Sequence, residues 1–342
     1  MYLDAFEKQP QLFSNNYYEM TRAVEQAGTA DEMFERLLKF DPQTIPNYRV
    51  DELVRLGGSS NYSEAKRNFI RHILKNSSVQ SSFYSLSRSI PDSEAAKIPE
   101  LREVMVKAVC SDDAFSPTST LWRVTSRGSG GQAMGPLDSL LGLLTTSPND
   151  AKKFTAAAEK ARKIETSLPT AELLIALLDL RKGGDRTTAV QRIRELIDQP
   201  DSENDNSQAA PTISGGLLWQ AGQAIEKIGN IDDRPSLLVA IYEAAIRDPQ
   251  ANSTSSFRYS IANRLIDAYA QNNQNSKARD FLLRAYANTD HSDRNRSNPG
   301  YGDAYELETY QSIAEKLTAL NFPIDALAIY RRAIADPAKF DR

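Results

Sequence analysis

The chain has 342 residues, of which 40% are hydrophobic and 25% charged, the composition of a folded protein rather than a low-complexity one. Lys plus Arg number 41 and Asp plus Glu 45, a formal net charge of −4, so the basic excess of a dedicated nucleic-acid binder is missing. A lone cysteine, Cys110, excludes an intramolecular disulfide and a multi-cysteine metal site.

Helical periodicity dominates from the start. Residues 12–27 and 31–40 are predicted to form a hairpin, with Asp31 as an N-cap or first-turn acid. Asp41-Pro42 closes it, because proline disfavours helical geometry in the residue before it. A second pair is expected over 50–56 and 61–75, where Tyr62, Ala65, Phe69 and Ile73 recur at three- and four-residue spacing. Lys66, Arg67, Arg71 and Lys75 would make one side of that helix basic, a solvated face. A helical segment follows over 93–110, ending at Cys110, a buried structural thiol by its apolar setting. The N-terminal stretch shows no basic region followed by an apolar one, so no signal peptide is expected. No apolar run reaches the length of a membrane span, so no membrane insertion is expected.

Residues 111–136 differ. They carry Ser116-Pro117-Thr118 and Arg127-Gly128-Ser129-Gly130-Gly131, and they read as a loop or linker. The expected organisation is therefore helical hairpins over 1–110, a linker over 111–136, and a helical array over 137–342, packed continuously with the N-terminal part. Strand alternation is absent apart from residues 121–125, which places the chain in the all-α class. The helix beginning at Ala171-Glu172-Leu173-Leu174 is apolar almost all round, so neighbours should cover most of it.

The C-terminal half contains an internal repeat. Ala240-Ile-Tyr-Glu-Ala-Ala-Ile-Arg-Asp-Pro249 and Ala328-Ile-Tyr-Arg-Arg-Ala-Ile-Ala-Asp-Pro337 agree at seven of ten positions, the self-similarity of a repeat architecture. Four units fit a two-helix pattern. Leu173, Ala176, Leu177 and Leu180 precede Ala189, Ile193 and Leu196. Leu218, Ala221, Gly222 and Ile225 precede Leu238, Tyr242 and Ala245. Ala262, Leu265, Ile266 and Tyr269 precede Ala278, Leu282 and Ala285. Tyr310, Ile313, Ala314 and Leu317 precede Ala326, Tyr330, Ala333 and Pro337. At these residues the sequence, over about 171–337, resembles the tetratricopeptide repeat family, in degenerate arrays of the kind found in large bacterial proteins. The resemblance implies an α–α superhelix of stacked antiparallel hairpins, in which small residues admit close helix approach and large ones fill the gaps. Spacers at 201–212 and 291–305 make the period irregular, and the inter-helix turn after Ile225 is long for the family. The chain stops directly after a repeat's second helix with no polar cap, so a longer polypeptide or a covering partner is expected.

The search for chemistry returns ordinary features. His72 and His291 stand far apart in sequence, with no HExxH and no nucleophile elbow. Residues 127–135 lack the Gly-Lys-Ser/Thr of a phosphate loop. Residues 201–206 lack the glycine and the closing Glu of a calcium loop. Asp112-Asp113 and Asp232-Asp233 read as capping acids. No catalytic residue, cofactor or metal is assigned. The resemblance implies that first helices line a concave groove, which makes Asn263, Arg264, Asp267, Gln271, Gln311, Ser312 and Glu315 the candidate contacts for a protein or peptide partner. The leading expectation is a non-enzymatic binding scaffold. The rivals are an accessory segment of a larger multidomain enzyme or assembly, and an α/α-superhelical hydrolase using a facing pair of carboxylates.

Overall fold

The computed structural model describes residues 17–44, 62–75, 97–119, 136–198, 213–248, 255–290 and 311–335, with Leu53, Val54, Leu56, Ile90, Glu94, Leu121 and Trp122 between them. Among these residues every regular element is helical and no strand occurs. The fold is all-α, built of helices that pack consecutively on their neighbours. Residues 123–125 of the one strand candidate lie outside the described residues, as do the calcium-like and glycine-rich stretches and His291.

The chain divides into two compact units, Met1–Ile231 and Asp232–Arg342. The first contains α1 (Tyr17–Ala27), α2 (Ala30–Leu37), α3 (Glu64–Ile73), α4 (Pro99–Val109) and the single turn α5 (Asp112–Phe115). It continues with α6 (Pro136–Thr146), α7 (Pro148–Ala161), α8 (Leu168–Lys182), α9 (Arg186–Ile197) and α10 (Gly215–Lys227). The second contains α11 (Arg234–Arg247), α12 (Ser255–Gln271), α13 (Asn275–Asp290), α14 (311–319) and α15 (Pro323–Ala335).

In the first unit α2 and α3 close around Met33, Phe34, Leu37, Phe69, Ile70 and Ile73, all buried, with the rings of Phe34 and Phe69 stacked at 5.3 Å. Asp31 sits in the first turn of α2, and its Oδ1 accepts from Ser63 Oγ at 2.5 Å. Ser63 in turn caps α3 by accepting from Lys66 N–H. The almost wholly apolar α8 is buried from Pro169 to Leu180 on nearly every side, against α5, α6, α7, α9 and α10. Continuous burial is what its composition demands.

Within the stretch expected to be a linker, Asp112–Phe115 form a helical turn. Phe115 packs against Phe154 at 6.0 Å, and Trp122 is buried with its Nε1–H donating to Ala114 O at 2.7 Å. Two large rings among serines and threonines are enough to anchor this stretch by apolar burial.

One turn recurs between helices. Gly28, Gly183, Asn273 and Asn321 all have positive φ, at 65°, 76°, 55° and 69°. After each, the next N–H donates to the carbonyl five residues back: Thr29 to Val24, Gly184 to Asp179, Gln274 to Tyr269 and Phe322 to Leu317. The left-handed residue itself donates to the carbonyl three back. This pair of bonds satisfies the last carbonyls of a helix and reverses the chain within two or three residues. Asparagine tolerates the left-handed region and β-branched residues do not. Asn321→Val is therefore expected to lower the urea midpoint of the full chain by an amount equivalent to about 1–2 kcal/mol, while Asn321→Gly holds or raises it.

The repeat positions expected to pack do so almost throughout. Leu173, Ala176, Leu177, Leu180, Leu218, Ala221, Ile225, Leu238, Tyr242, Ala245, Leu265, Ile266, Tyr269, Ala278, Leu282, Ile313, Ala314, Leu317 and Ala326 are all buried. Leu196 and Ala262 are half-buried and Tyr330 is 39% exposed, while Tyr310, Pro337 and the side chains of Ala285 and Ala333 lie outside the described residues.

Candidate functional site

The proposed partner contacts lie on α12 and on α14. On α12 the buried side is Ile261, Leu265, Ile266, Ala268 and Tyr269. Asn263, Arg264, Asp267 and Gln271 fall on the other side at three- and four-residue spacing, with Asp267 and Gln271 exposed and Asn263 and Arg264 half-buried. On α14 the buried side is Ile313, Ala314 and Leu317, and Gln311, Ser312 and Glu315 point away from it. Gln311 and Glu315 are exposed, and Gln311 Nε2 donates to Glu315 Oε1 at 2.7 Å. Helical geometry accounts for both stripes, since residues three and four apart share a face.

The side chains behind these stripes hold the helices in place. Tyr269 Oη donates to Glu243 Oε1 at 2.6 Å, tying α12 to α11. Burial pushes the Tyr269 phenol far above its ordinary pKa, and the bond to the Glu243 carboxylate pushes it further, so it stays a donor at any physiological pH. Arg279 on α13 grips Asp325 on α15 with both Nε and Nη2, at 2.6 and 3.2 Å, while its guanidinium lies 5.4 Å from the centroid of the Phe322 ring. That grip holds the Asp325 carboxyl below its usual range.

Several side chains differ from the sequence reading. On the basic side of α3 only Lys75 is exposed. Arg67 pairs with Glu94 and Glu64, and Arg71 with Glu64 and Glu100. Lys66 is buried, 1% exposed, with Nζ 3.1 Å from Leu56 O and 4.3 Å from the centroid of the Tyr62 ring. Burial pushes its pKa down to about 8, against an upward pull from Asp31. His72 is half-buried, with Nε2 2.7 Å from Phe40 O. A carbonyl only accepts, so that nitrogen carries the proton. Cys110 is half-buried, and burial followed by the Asp150 charge pushes its thiol up, away from the thiolate that nucleophilic chemistry needs.

A general acid requires a carboxyl whose pKa is raised. Among the described carboxyls with a resolved shift, the direction is downward in each. Hydrogen bonds lower Glu64 through Arg71, Glu94 through Lys97, Asp185 through Thr188 and Asp325 through Arg279. In Asp150, burial pushes upward, and hydrogen bonds from Arg102 and Ser147 outweigh it. These are structural acids. Among the described residues no group of three or more His, Cys, Asp or Glu is placed to hold a metal ion, and no helix is long and apolar enough to cross a membrane.

The most informative polar side chain was not singled out by the sequence. Gln220 on α10 is buried at 1% exposed; its Nε2 donates to Trp122 O at 3.0 Å, and its Oε1 accepts from Leu137 N–H at 3.2 Å. One amide thus bridges Trp122 and Leu137. The only sequence signal was a glutamine inside the apolar run Leu217-Leu218-Trp219-Gln220-Ala221, where a polar residue at a core position demands partners.

No family model, curated protein or solved structure matches the chain.

Proposed function

We propose that the chain is a non-enzymatic scaffold of tetratricopeptide-like hairpins, binding a protein or a peptide along the outward faces of their first helices. The observation that carries this reading is the two-sidedness of α12 and α14. One side is consumed by packing, and the other presents Asp267, Gln271, Gln311 and Glu315 to solvent. Asn263, Arg264 and Ser312 border those residues on the same helices. Amide, guanidinium, hydroxyl and carboxylate groups together offer both donors and acceptors. That mixture suits an extended peptide or a helix recognised through side-chain hydrogen bonds. It suits a polyphosphate backbone poorly, since acids are interspersed and the net charge is −4.

The immobilised 342-residue chain should retain one protein from its native source. The Arg264→Glu/Gln311→Lys double variant, with an unchanged circular dichroism spectrum, should lose it. Equal retention by both chains would remove the groove from consideration.

A further inference from the structure

The internal repeat places two nearly identical helices in the second unit, and they differ in what covers them. Aligned on their Asp-Pro endings, α11 and α15 agree at Ala240/Ala328, Ile241/Ile329, Tyr242/Tyr330, Ala245/Ala333 and Ile246/Ile334. One face is covered in both copies: Leu238 and Ile241 in α11, Ala326 and Ile329 in α15, are 3% exposed or less. The other face is covered only in α11. Val239 is 6% exposed and Tyr242 0%, whereas their counterparts Leu327 and Tyr330 are 48% and 39% exposed. Ile246 is half-buried and Ile334 is 76% exposed. Ile324, where α11 has Ser236, is 82% exposed and widens the same stripe.

What covers α11 is visible. It packs along α12, an amphipathic helix whose buried residues Ile261, Leu265, Ala268 and Tyr269 follow the i, i+4, i+7, i+8 pattern, and Tyr269 hydrogen-bonds Glu243. The position of Glu243 is taken in α15 by Arg331, which is exposed. We infer that the open face of α15 is a docking site for an amphipathic helix of a partner protein, apolar along one stripe and acidic where α12 carries Tyr269.

A second copy of this chain fits less well. Side chains of ~150–250 Å² exposed to these degrees present on the order of 400–500 Å², short of the ~800 Å² per partner of a standard interface. Pairing two α15 helices about a two-fold axis through the stripe would also bring Arg331 against its own copy, a like-charge contact. A single helix needs only one apolar stripe and one matched charge.

The inference stands apart from the groove reading, because α15 carries none of the groove residues. The test uses a dye-labelled synthetic peptide with the sequence of residues 253–272 carrying Tyr269→Glu, titrated with the 342-residue chain and followed by fluorescence anisotropy. Saturable binding with a dissociation constant of about 10–300 μM is expected, the weak range of one short helix that must fold as it binds. Leu327→Asp/Ile334→Asp, at exposed positions that leave the fold intact, should weaken it at least about tenfold. Arg331→Glu should reverse the preference toward a peptide carrying Tyr269→Lys. Three results would overturn the inference. One is no binding at about 1 mM; another is binding lost in Arg264→Glu/Gln311→Lys and kept in Leu327→Asp/Ile334→Asp. The third is an α15-dependent dimer in sedimentation that excludes the peptide.

Discussion

Replacing Gln220 by leucine is expected to destabilise the first unit by about 2–4 kcal/mol, because two buried backbone groups lose their partners at once. Trp122 O and Leu137 N–H flank the 123–135 segment, and the Gln220 amide is their shared partner, at 3.0 and 3.2 Å. Leucine has similar bulk, so the loss is one of hydrogen bonds rather than of volume. Gln220→Glu separates the two effects. A protonated carboxyl can donate to Trp122 O and accept from Leu137 N–H, whereas a carboxylate can only accept. Burial raises the folded-state pKa of such a glutamate above its unfolded value. Its stability is therefore fully present below the unfolded pKa and is lost as pH rises through the folded one. In urea denaturation, Gln220→Glu should approach the parent chain near pH 4.5 and trail it by about 2 kcal/mol or more at pH 7.5. A Gln220→Glu variant indifferent to pH would mean that the amide does not bridge Trp122 and Leu137.

Lys66→Met should show the second large effect, again in its pH dependence. Lys66 is 1% exposed, and its pKa falls from 10.5 to about 8. A lowered lysine pKa means that the unfolded chain holds the proton more tightly. Below pH 8 both states are protonated and the full cost of a buried ammonium is present. Between pH 8 and 10.5 the folded state releases its proton first, and stability rises. Relative to Lys66→Met, the parent chain should gain about 2–3 kcal/mol between pH 7 and pH 10. Ending at pH 10 stays below the Tyr62 phenol, which burial and the Glu94 charge push up to about 12. At pH 7 the methionine variant should be as stable as the parent or more so, since replacing a buried charge by an apolar chain of similar size is often favourable. A flat difference across this window would place the Lys66 ammonium in water.

The regular, self-similar part of this fold was legible in the sequence. The three- and four-residue spacing in α3 and α12 reflects apolar burial along one face, which leaves a periodic trace, and the nearly all-apolar sequence of α8 reflects burial on most sides. What escaped was set by single polar side chains at buried positions. Lys66 stands three, four and seven residues from the buried Phe69, Ile70 and Ile73 and turns inward with them to the Leu56 carbonyl, while Arg67 and Arg71 turn to Glu64, Glu94 and Glu100. The helical period marks Lys66 as the inward one, and the Leu56 carbonyl ten residues back that receives it leaves no periodic trace. Gln220 lies in an apolar run, and its partners are 98 and 83 residues away. The reversing turns were half readable: Gly28 and Gly183 advertise a left-handed residue, while Asn273 and Asn321 adopt the same geometry inside polar or mixed sequence where asparagine is common.

The candidate groove was legible only as far as each helix face. Asp267, Gln271, Gln311 and Glu315 are exposed, and their exposure follows from the burial of Leu265, Tyr269, Ala314 and Leu317 on the opposite sides. The open stripe on α15 was hidden by the resemblance itself. A sequence match to α11 implied that Tyr330 packs as Tyr242 does, and only the packing of α11 along α12 distinguishes them.

The most direct measurement of the scaffold reading is site-specific photo-crosslinking in the native source, with a benzophenone side chain placed at Asp267, at Glu315 and, as a control, at the exposed Lys152 of α7. The account predicts that positions 267 and 315 capture the same protein and position 152 does not. Capture from neither 267 nor 315, or equal capture from all three, would contradict it.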